Sequence, residues 1–235
     1  MASKQILIIH NYHKTGLGNV GVALGEAGAT THTVMAHLGE NLPSAADGYD
    51  ALIVLGGAQN AMDDAGSPYF PALLDLIREF ERLDRAVLGI CLGSQLMARA
   101  FGGENRIGGA TEFGWHGIQV KENAETDPVL GGLPKSFPIF QWHDDTFVLP
   151  PHAAHLAASA TAENQAFRVG RAAYGFQFHF EADRNLVRQW NEDFADWLAE
   201  KRPGWQEQFG GEAAAHGPAA DAAGLAIARN WVAAI

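Results

Sequence analysis

Cysteine is scarce in this sequence, in which Cys91 is the one cysteine among 235 residues. A disulfide within the chain is therefore excluded, and so is a zinc site built from several thiolates. Histidine is more frequent, and segments 10–13 and 143–145 each bring potential metal ligands together. Neither segment has the i, i+4 helical spacing or a matching third ligand that metal sites need. We therefore predict no metal and no cofactor.

Basic charge and long apolar runs are also scarce. The chain has 16 Lys and Arg against 27 Asp and Glu, a net charge of −11, and no basic stripe that would bind phosphates. We therefore expect no nucleic-acid partner. The first apolar run, Ile6 to Ile9, is too short for a signal peptide or a membrane span, so we expect a cytoplasmic protein without a membrane partner.

A strand, a cysteine between glycines and a helix follow one another in the middle of the chain. The apolar run Ala86 to Ile90 is typical of a buried parallel strand, and a helical pattern follows Cys91. Gly89 and Gly93 allow the close packing that a nucleophile at such a turn requires. The N-terminus of the helix favours a thiolate. The segment therefore predicts a nucleophile elbow, although a lone cysteine is more often a small core residue.

Strands and helices alternate before and around this elbow, which predicts an α/β fold with a largely parallel sheet covered by helices. Shorter alternating runs after the elbow predict antiparallel strands added to that sheet. The predicted parallel strands and helices are strands 5–10, 31–35, 50–55 and 86–90 and helices 19–27, 71–83 and 95–101. The later strands are predicted at 117–120, 137–141, 146–148, 155–159, 166–169 and 173–178.

The C-terminal part of the chain is helical in pattern. Apolar spacing predicts one amphipathic helix from Arg184 to Glu200, ended by Pro203 and Gly204. The alanine-rich tail contains glycine and proline breaks, and we expect its last helix only at 222–232. We predict one domain over residues 1–202 and a helical extension over 203–235 packed on the same domain.

Two further segments offer partners for the thiol. Gly56 and Gly57 follow a predicted strand directly, so the N–H of Gly57 and that of Leu92 could form an oxyanion hole. His179 ends an apolar run, and Glu181 lies two residues on, on the same face of an extended segment. The histidine can act as a base that the carboxylate orients. Taken alone, Gly56 and Gly57 also fit an ordinary turn after a strand. His179 and Glu181, taken alone, also fit a solvated pair at the end of a strand.

A glycine string in the first loop resembles a dinucleotide-binding motif. Gly16, Gly18 and Gly21 match G-x-G-x-x-G, but five residues separate the string from the strand before it. No acidic residue ends the second strand near Met35 to bind a ribose. We interpret the string as a helix entry, and NAD binding by a nucleotide-dependent oxidoreductase is the alternative.

Several segments in order resemble class I glutamine amidotransferases, and most of all free-standing relatives of the amidotransferase domain of GMP synthase. They are segments 89–95, 56–57, 112–114, 142–145 and 177–181. The resemblance implies a flavodoxin-like α/β fold of the class I amidotransferase type. It also implies these roles: Cys91 as nucleophile, His179 as base and acid, Glu181 as its orienting partner, Gly57 and Leu92 as oxyanion hole, and Gln95, Trp142 and His143 as glutamine-binding residues.

The chain departs from this family in three respects. Phe180 stands where the family commonly has proline, Ala58 replaces a proline after the glycine pair, and the roughly 35 residues after the helix at 184–200 lead us to expect no synthetase domain. The resemblance implies hydrolysis of glutamine through a γ-glutamyl thioester, with ammonia passing to a separate synthetase subunit. Two alternatives remain: a hydrolase of γ-glutamyl peptides or conjugates with the same triad, and a catalytically silent binding or regulatory protein.

Overall fold

A computed structural model describes residues 3–235, so Met1 and Ala2 of the predicted domain lie outside the described residues. The helices are α1 (Gly18–Glu26), α2 (Phe70–Arg82), α3 (Leu92–Ala100), α4 (Arg184–Asp193), α5 (Ala195–Lys201) and α6 (Trp205–Ala233). The strands are β1 (Gln5–Ile9), β2 (Thr30–Val34), β3 (Ala51–Val54), β4 (Ala86–Ile90), β5 (Glu104–Arg106), β6 (Glu112–Val120), β7 (Ser136–His143), β8 (Thr146–Val148), β9 (Ala154–Ala158), β10 (Ala166–Val169) and β11 (Ala173–Phe176).

One large sheet organises the described chain. Within residues 3–235 it has nine strands in the order β2-β1-β3-β4-β11-β10-β9-β6-β7, and β5 pairs with β8 separately. The strands from β2 to β11 in this order are parallel, whereas β10, β9, β6 and β7 are added antiparallel. The predicted α/β class, with a mostly parallel sheet and added antiparallel strands, is confirmed. The elbow strand β4 lies between β3 and β11, so the ends of these three strands meet at one edge.

The parallel strands β1, β3, β4 and β11 are buried on both faces, which explains their continuous apolar sequences, whereas the edge strand β2 is exposed at four of its five residues. On β1, Ile6 and Ile8 belong to a core with α1 and α6, while Leu7 and Ile9 belong to a second core with α2 and α3. Helices thus cover both faces of the sheet. The edge formed by the carboxyl ends of the strands stays open for a site.

The predicted single helix from Arg184 to Glu200 is wrong, because the structure divides it into α4 and α5 at Phe194. The backbone of Phe194 leaves the helical region at φ −118° and ψ 24°. The break places the rings of Trp190, Phe194 and Trp197 within 6 Å of the Trp142 ring. Packing of aromatic rings therefore interrupts the helix that the regular spacing of apolar residues predicts.

The tail also differs from the prediction, since α6 continues through its glycines and Pro218 for 29 residues. Two of the glycines lie at close contacts. A Cβ atom on Gly217 would lie 2.1 Å from Cδ of Arg184, and one on Gly224 would lie 2.3 Å from the carbonyl oxygen of Phe180. The residues expected to break the helix thus allow it to approach the domain, and packing outweighs their low helix propensity.

Helix α6 packs against α1 and β7. This contact supports our proposal that residues 203–235 form an extension on the same domain. None of the helices in residues 3–235 combines the length and apolarity needed to cross a bilayer.

Candidate active site

Cys91 lies at the turn between β4 and α3, at the open edge of the sheet. Its backbone has φ 51° and ψ −110°, a conformation that is strained for a residue with a side chain. The turn is tightly packed, because a Cβ atom on Gly93 would lie 2.0 Å from the carbonyl oxygen of Val54. On Gly89 it would lie 2.5 Å from Sδ of Met97. The flanking glycines are therefore sterically required, as an elbow demands.

His179 and Glu181 follow β11 and reach the same edge. The Nδ1 atom of His179 lies 2.6 Å from Oε1 of Glu181, and both side chains are buried. The backbone N–H of His179 donates to the carbonyl of Phe140 on β7, which holds the residue in place. Since Nδ1 is bonded to Glu181, Nε2 is the ring nitrogen left to serve Cys91.

The electrostatics of this group favour a protonated imidazole. Burial works to lower the pKa of His179, but the charge of Glu181 and hydrogen bonds with Cys91 and Glu181 raise it well above its ordinary value of 6.5. A protonated imidazole beside the sulfur stabilises a thiolate. The arrangement can therefore supply a nucleophile and, later, a proton for a leaving group.

Gly57 and Leu92 are neighbours at this edge. A Cβ atom on Gly57 would lie 2.8 Å from Cδ2 of Leu92, so the two residues approach closely. Within residues 3–235, neither N–H donates a hydrogen bond to another protein group. Two free N–H groups beside a nucleophile can stabilise an oxyanion.

A cavity of about 600 Å³ opens in front of the sulfur. Gln95, Trp142 and His143, the predicted glutamine-binding residues, all line it. The amide nitrogen of Gln95 donates to Gln177 at 3.2 Å, so the side-chain oxygen of Gln95 is left to meet a ligand. The carbonyl oxygen of Trp142 lies 3.7 Å from Sγ of Cys91.

His143 has both ring nitrogens engaged inside the protein. Nδ1 donates to the carbonyl of Asp145 at 2.9 Å, and Nε2 lies 3.2 Å from Oε2 of Glu112. Burial works to raise the pKa of Glu112, but hydrogen bonds from His143 and Ser159 and the nearby histidine charges bring it below its ordinary value. Glu112 is therefore a carboxylate, and both ring nitrogens of His143 face acceptor oxygens inside the protein. Its ring fixes the segment that carries the Trp142 carbonyl.

The glycine string of Gly16, Gly18 and Gly21 lies next to the turn that carries Glu181. Gly18 has a φ of 42°, and a Cβ atom there would lie 1.9 Å from the carbonyl oxygen of Glu181. The next residue, Asn19, donates its backbone N–H to that same oxygen and its side-chain amide to the carbonyl of Phe180. The string therefore supports the turn that carries Glu181, which agrees with its interpretation as a helix entry. The spacing of these glycines in the sequence contains no signal of this role.

The substitution of phenylalanine for the family's proline leaves the His179 and Glu181 contact intact. The side chain of Phe180 is fully buried and packs against Phe176. Ala58, which replaces the other proline, is exposed and lines the cavity.

The histidines of segments 10–13 and 143–145 remain apart from any cluster of three ligands. In residues 3–235, no group of three or more His, Cys, Asp or Glu side chains is arranged to hold a metal ion.

Four aromatic residues of the cavity were not predicted as site residues from the sequence. The rings of Tyr12, Trp190, Phe194 and Trp197 line it beside Trp142. In sequence, the tryptophans after Glu181 indicate only the apolar face of a helix. The close spacing of Trp190, Phe194 and Trp197 in the sequence was the available signal of an aromatic cavity lining.

Comparisons with known proteins agree with this geometry. Residues 8–190 match the family model described as glutamine amidotransferase class-I. The glutamine amidotransferase-like protein YfeJ of Salmonella typhimurium is 32% identical over 178 residues, covering 73% of this chain and 74% of that protein. One subunit of the glutamine-hydrolysing GMP synthase of Methanosarcina barkeri is 37% identical over 134 residues, 56% of this chain. The matched region spans 64% of that relative.

A solved structure resembles the whole described chain. A glutamine amidotransferase from Thermotoga maritima superimposes with a TM-score of 0.86 at 26% identity, covering 99% of this chain and 97% of the other. The similarity therefore extends over the C-terminal helices as well as the sheet.

Proposed function

Since the chain belongs to the class I glutamine amidotransferase family, we propose that it hydrolyses the γ-carboxamide of glutamine at Cys91 and releases ammonia. The observation that carries this proposal is the contact of 2.6 Å between His179 and Glu181 beside a cysteine at a strained turn. This combination gives a nucleophile, a base and an orienting carboxylate in one place.

The reaction proceeds in two steps. The Cys91 thiolate attacks the carbonyl carbon of the γ-carboxamide, and the resulting oxyanion accepts hydrogen bonds from the N–H groups of Gly57 and Leu92. The carbon–nitrogen bond breaks as His179 gives a proton to the nitrogen, and ammonia leaves. Water then attacks the γ-glutamyl thioester while His179 accepts its proton, and glutamate is released with the thiolate restored.

The remaining lining residues orient the substrate. The side-chain oxygen of Gln95 and the backbone around Trp142 and His143 would hold the glutamine. Because both nitrogens of His143 are bonded inside the protein, its ring acts by positioning the Trp142 segment.

The test measures ammonia and glutamate released from glutamine by the purified protein. Equal amounts of the two products are expected, and Cys91→Ser should abolish both, since a hydroxyl is far less acidic than a thiol. Circular dichroism of the variant verifies that it is folded. Product formation by folded Cys91→Ser would contradict the mechanism.

A separate synthetase subunit that takes up the ammonia is part of the proposal. Support comes from the relatives whose names describe one subunit of glutamine-hydrolysing GMP synthase, and hence one part of an assembly. Coupling between two sites would then keep glutamine hydrolysis slow in the isolated chain and raise it on assembly. The measurement is the glutaminase rate with and without a purified synthetase subunit.

A second candidate keeps the same triad and changes the substrate to a γ-glutamyl peptide or conjugate. The observation that favours it is the aromatic lining of the cavity beside Trp142, which glutamine does not need. Glutamate release from a γ-glutamyl dipeptide distinguishes this candidate from a strict glutaminase.

A further inference from the structure

One side of the catalytic cavity is a continuous surface of aromatic rings, which we call the aromatic wall. Its centre is the ring of Trp142, whose centroid lies 5.1 Å from that of Phe194, 5.3 Å from Trp197 and 5.9 Å from Trp190. Tyr12, on the loop after β1, stacks on Phe194 at 6.0 Å. These five rings come from three separate parts of the chain and converge on one cavity.

The aromatic wall adjoins the residue that gives the proton to the leaving group. The ring of Trp190 meets that of His179 edge-on, with centroids 5.2 Å apart. His179 gives its proton to the leaving nitrogen, so that nitrogen must lie beside His179. The oxyanion donors, Gly57 and Leu92, belong to other strand ends. Whatever substituent the nitrogen carries would therefore extend from His179 along the aromatic wall.

The part of the wall beyond Trp190 remains open. Trp190 itself is buried and donates from its indole nitrogen to the carbonyl of Lys14. Tyr12, Phe194 and Trp197 are each partly exposed in the cavity. The leaving nitrogen of glutamine carries only hydrogen, so no group extends from it over these rings. A larger leaving amine would bury it, which is favourable.

A lysine ammonium group lies beside the partly exposed rings of the wall. The ammonium group of Lys14 lies 4.6 Å from the centroid of the Phe194 ring, and Lys14 also lines the cavity. The carboxylate of an amino acid bound at the wall would thus meet a positive charge. The carboxylates of Asp144 and Asp145 lie on the cavity too, and Asp144 is paired with Arg202 at 3.7 Å.

We propose that the aromatic wall binds the leaving amine of γ-glutamyl amides, and that the preferred leaving amine is an aromatic amino acid. This inference rests on the proposed function, because it uses the same thioester chemistry. The thiolate attacks the carbonyl carbon of the γ-glutamyl amide and displaces the amine, His179 supplies the proton that the amine takes away, and water hydrolyses the thioester to glutamate. The aromatic wall and Cys91 line the same cavity, so an aromatic side chain attached to the leaving amine would lie against the wall.

The test compares kcat/KM for glutamate release from γ-glutamylphenylalanine and γ-glutamylglycine. Both peptides carry the same carboxylate and differ by the benzyl group alone. Burying that ring at the wall should favour the phenylalanine peptide by about tenfold or more. Glutamine is assayed in parallel with the same protein.

Variants of the wall locate the preference. Trp197→Ala should reduce the ratio between the two peptides to near one, whereas Trp197→Phe should retain most of it. Phe209→Ala is the matched control, because Phe209 is a partly buried aromatic of α6 outside the cavity, and it should leave the ratio unchanged. Tyr12→Ala, on a separate loop, repeats the test if Trp197→Ala does not fold.

Each outcome is decisive. The inference is overturned if the unchanged protein cleaves the two peptides with a kcat/KM ratio near one. It is also overturned if that ratio is unchanged in folded Trp197→Ala and Tyr12→Ala. In either case the proposed glutaminase stands if glutamine is hydrolysed. Cleavage of γ-glutamylphenylalanine without hydrolysis of glutamine supports the inference and removes the glutaminase proposal. Failure to cleave any of the three compounds overturns both.

Discussion

Nδ1 of His179 lies 2.6 Å from Oε1 of Glu181, although the residue between them is a phenylalanine whose side chain is fully buried. The chain turns at this point and does not run extended, because the N–H of Ala182 donates to the carbonyl of His179 at 3.3 Å. In this turn Phe180 enters the core beside Phe176, while the side chains of His179 and Glu181 meet next to Cys91. The buried ring anchors the pair that the proposed reaction uses.

If His179 and Glu181 act as one unit, their substitutions are far from additive. His179→Asn should reduce kcat for glutamate release more than Glu181→Gln, because the imidazole moves the proton and the carboxylate only orients it. The double variant should be little worse than His179→Asn. Rates for the two single variants and the double variant check this, and losses that multiply independently would contradict a shared site.

The raised pKa of His179 predicts that the protein loses stability at alkaline pH. Protonation of His179 stabilises the fold fully below its unfolded value of 6.5, and this contribution is lost as pH rises through the higher folded pKa. The slope is at most about 1.4 kcal/mol per pH unit for one proton.

Urea unfolding between pH 6 and 10 measures this slope. Glu181→Gln removes the charge that raises the pKa, so the difference in unfolding free energy between the two proteins should shrink with rising pH. A difference that is constant over this range would contradict the assigned protonation.

Gly18→Ala should weaken both the fold and the reaction, since the new Cβ atom would lie 1.9 Å from the carbonyl oxygen of Glu181 at a φ of 42°. We expect a loss of about 2 kcal/mol or more in the free energy of unfolding, with reduced kcat. Gly25→Ala is the control in the same helix, because nothing lies within 4 Å of its added Cβ atom. It should be neutral or stabilising by about 0.5 kcal/mol. Equal effects of the two substitutions would remove the proposed support of Glu181.

Glu112→Gln should destabilise the fold, because it removes a buried carboxylate that lies 3.2 Å from Nε2 of His143. Loss of a hydrogen bond to a buried charged group costs about 1.5 to 3 kcal/mol. Replacement of both partners should cost less than the sum of the single changes. Glu163→Gln, at an exposed pair with Lys121, is the control and should change stability by less than about 1 kcal/mol. Chemical unfolding of Glu112→Gln, His143→Gln, the double variant and Glu163→Gln measures how much the buried pair stabilises the fold, and a loss in Glu112→Gln no larger than that in Glu163→Gln would contradict this role.

The fold was predictable from the sequence where local pattern and chain order agree. The apolar run at Ala86 to Ile90 and the glycines around Cys91 predict a strand, a turn and a helix without reference to distant residues. The mostly parallel sheet and the family are confirmed, and the triad stays a prediction that its geometry supports.

The parts that escaped prediction depend on contacts between distant segments. The break at Phe194 follows from packing of rings on Trp142, and the uninterrupted α6 follows from close contacts at Gly217 and Gly224. The pairing of Glu112 with His143 joins residues 31 positions apart. Neither the periodicity of apolar residues nor the spacing of motifs in the sequence predicts these contacts.

The most direct measurement concerns the one cysteine of the chain. The purified protein is treated with a glutamine analogue that carries an electrophilic carbon at the position of the γ-carboxamide, and the site of alkylation is located by mass spectrometry. The proposed reaction predicts one label, on Cys91, with labelling slowed by added glutamine. An unlabelled Cys91, or labelling at the same rate with and without glutamine, would contradict a glutamine site in front of this thiol.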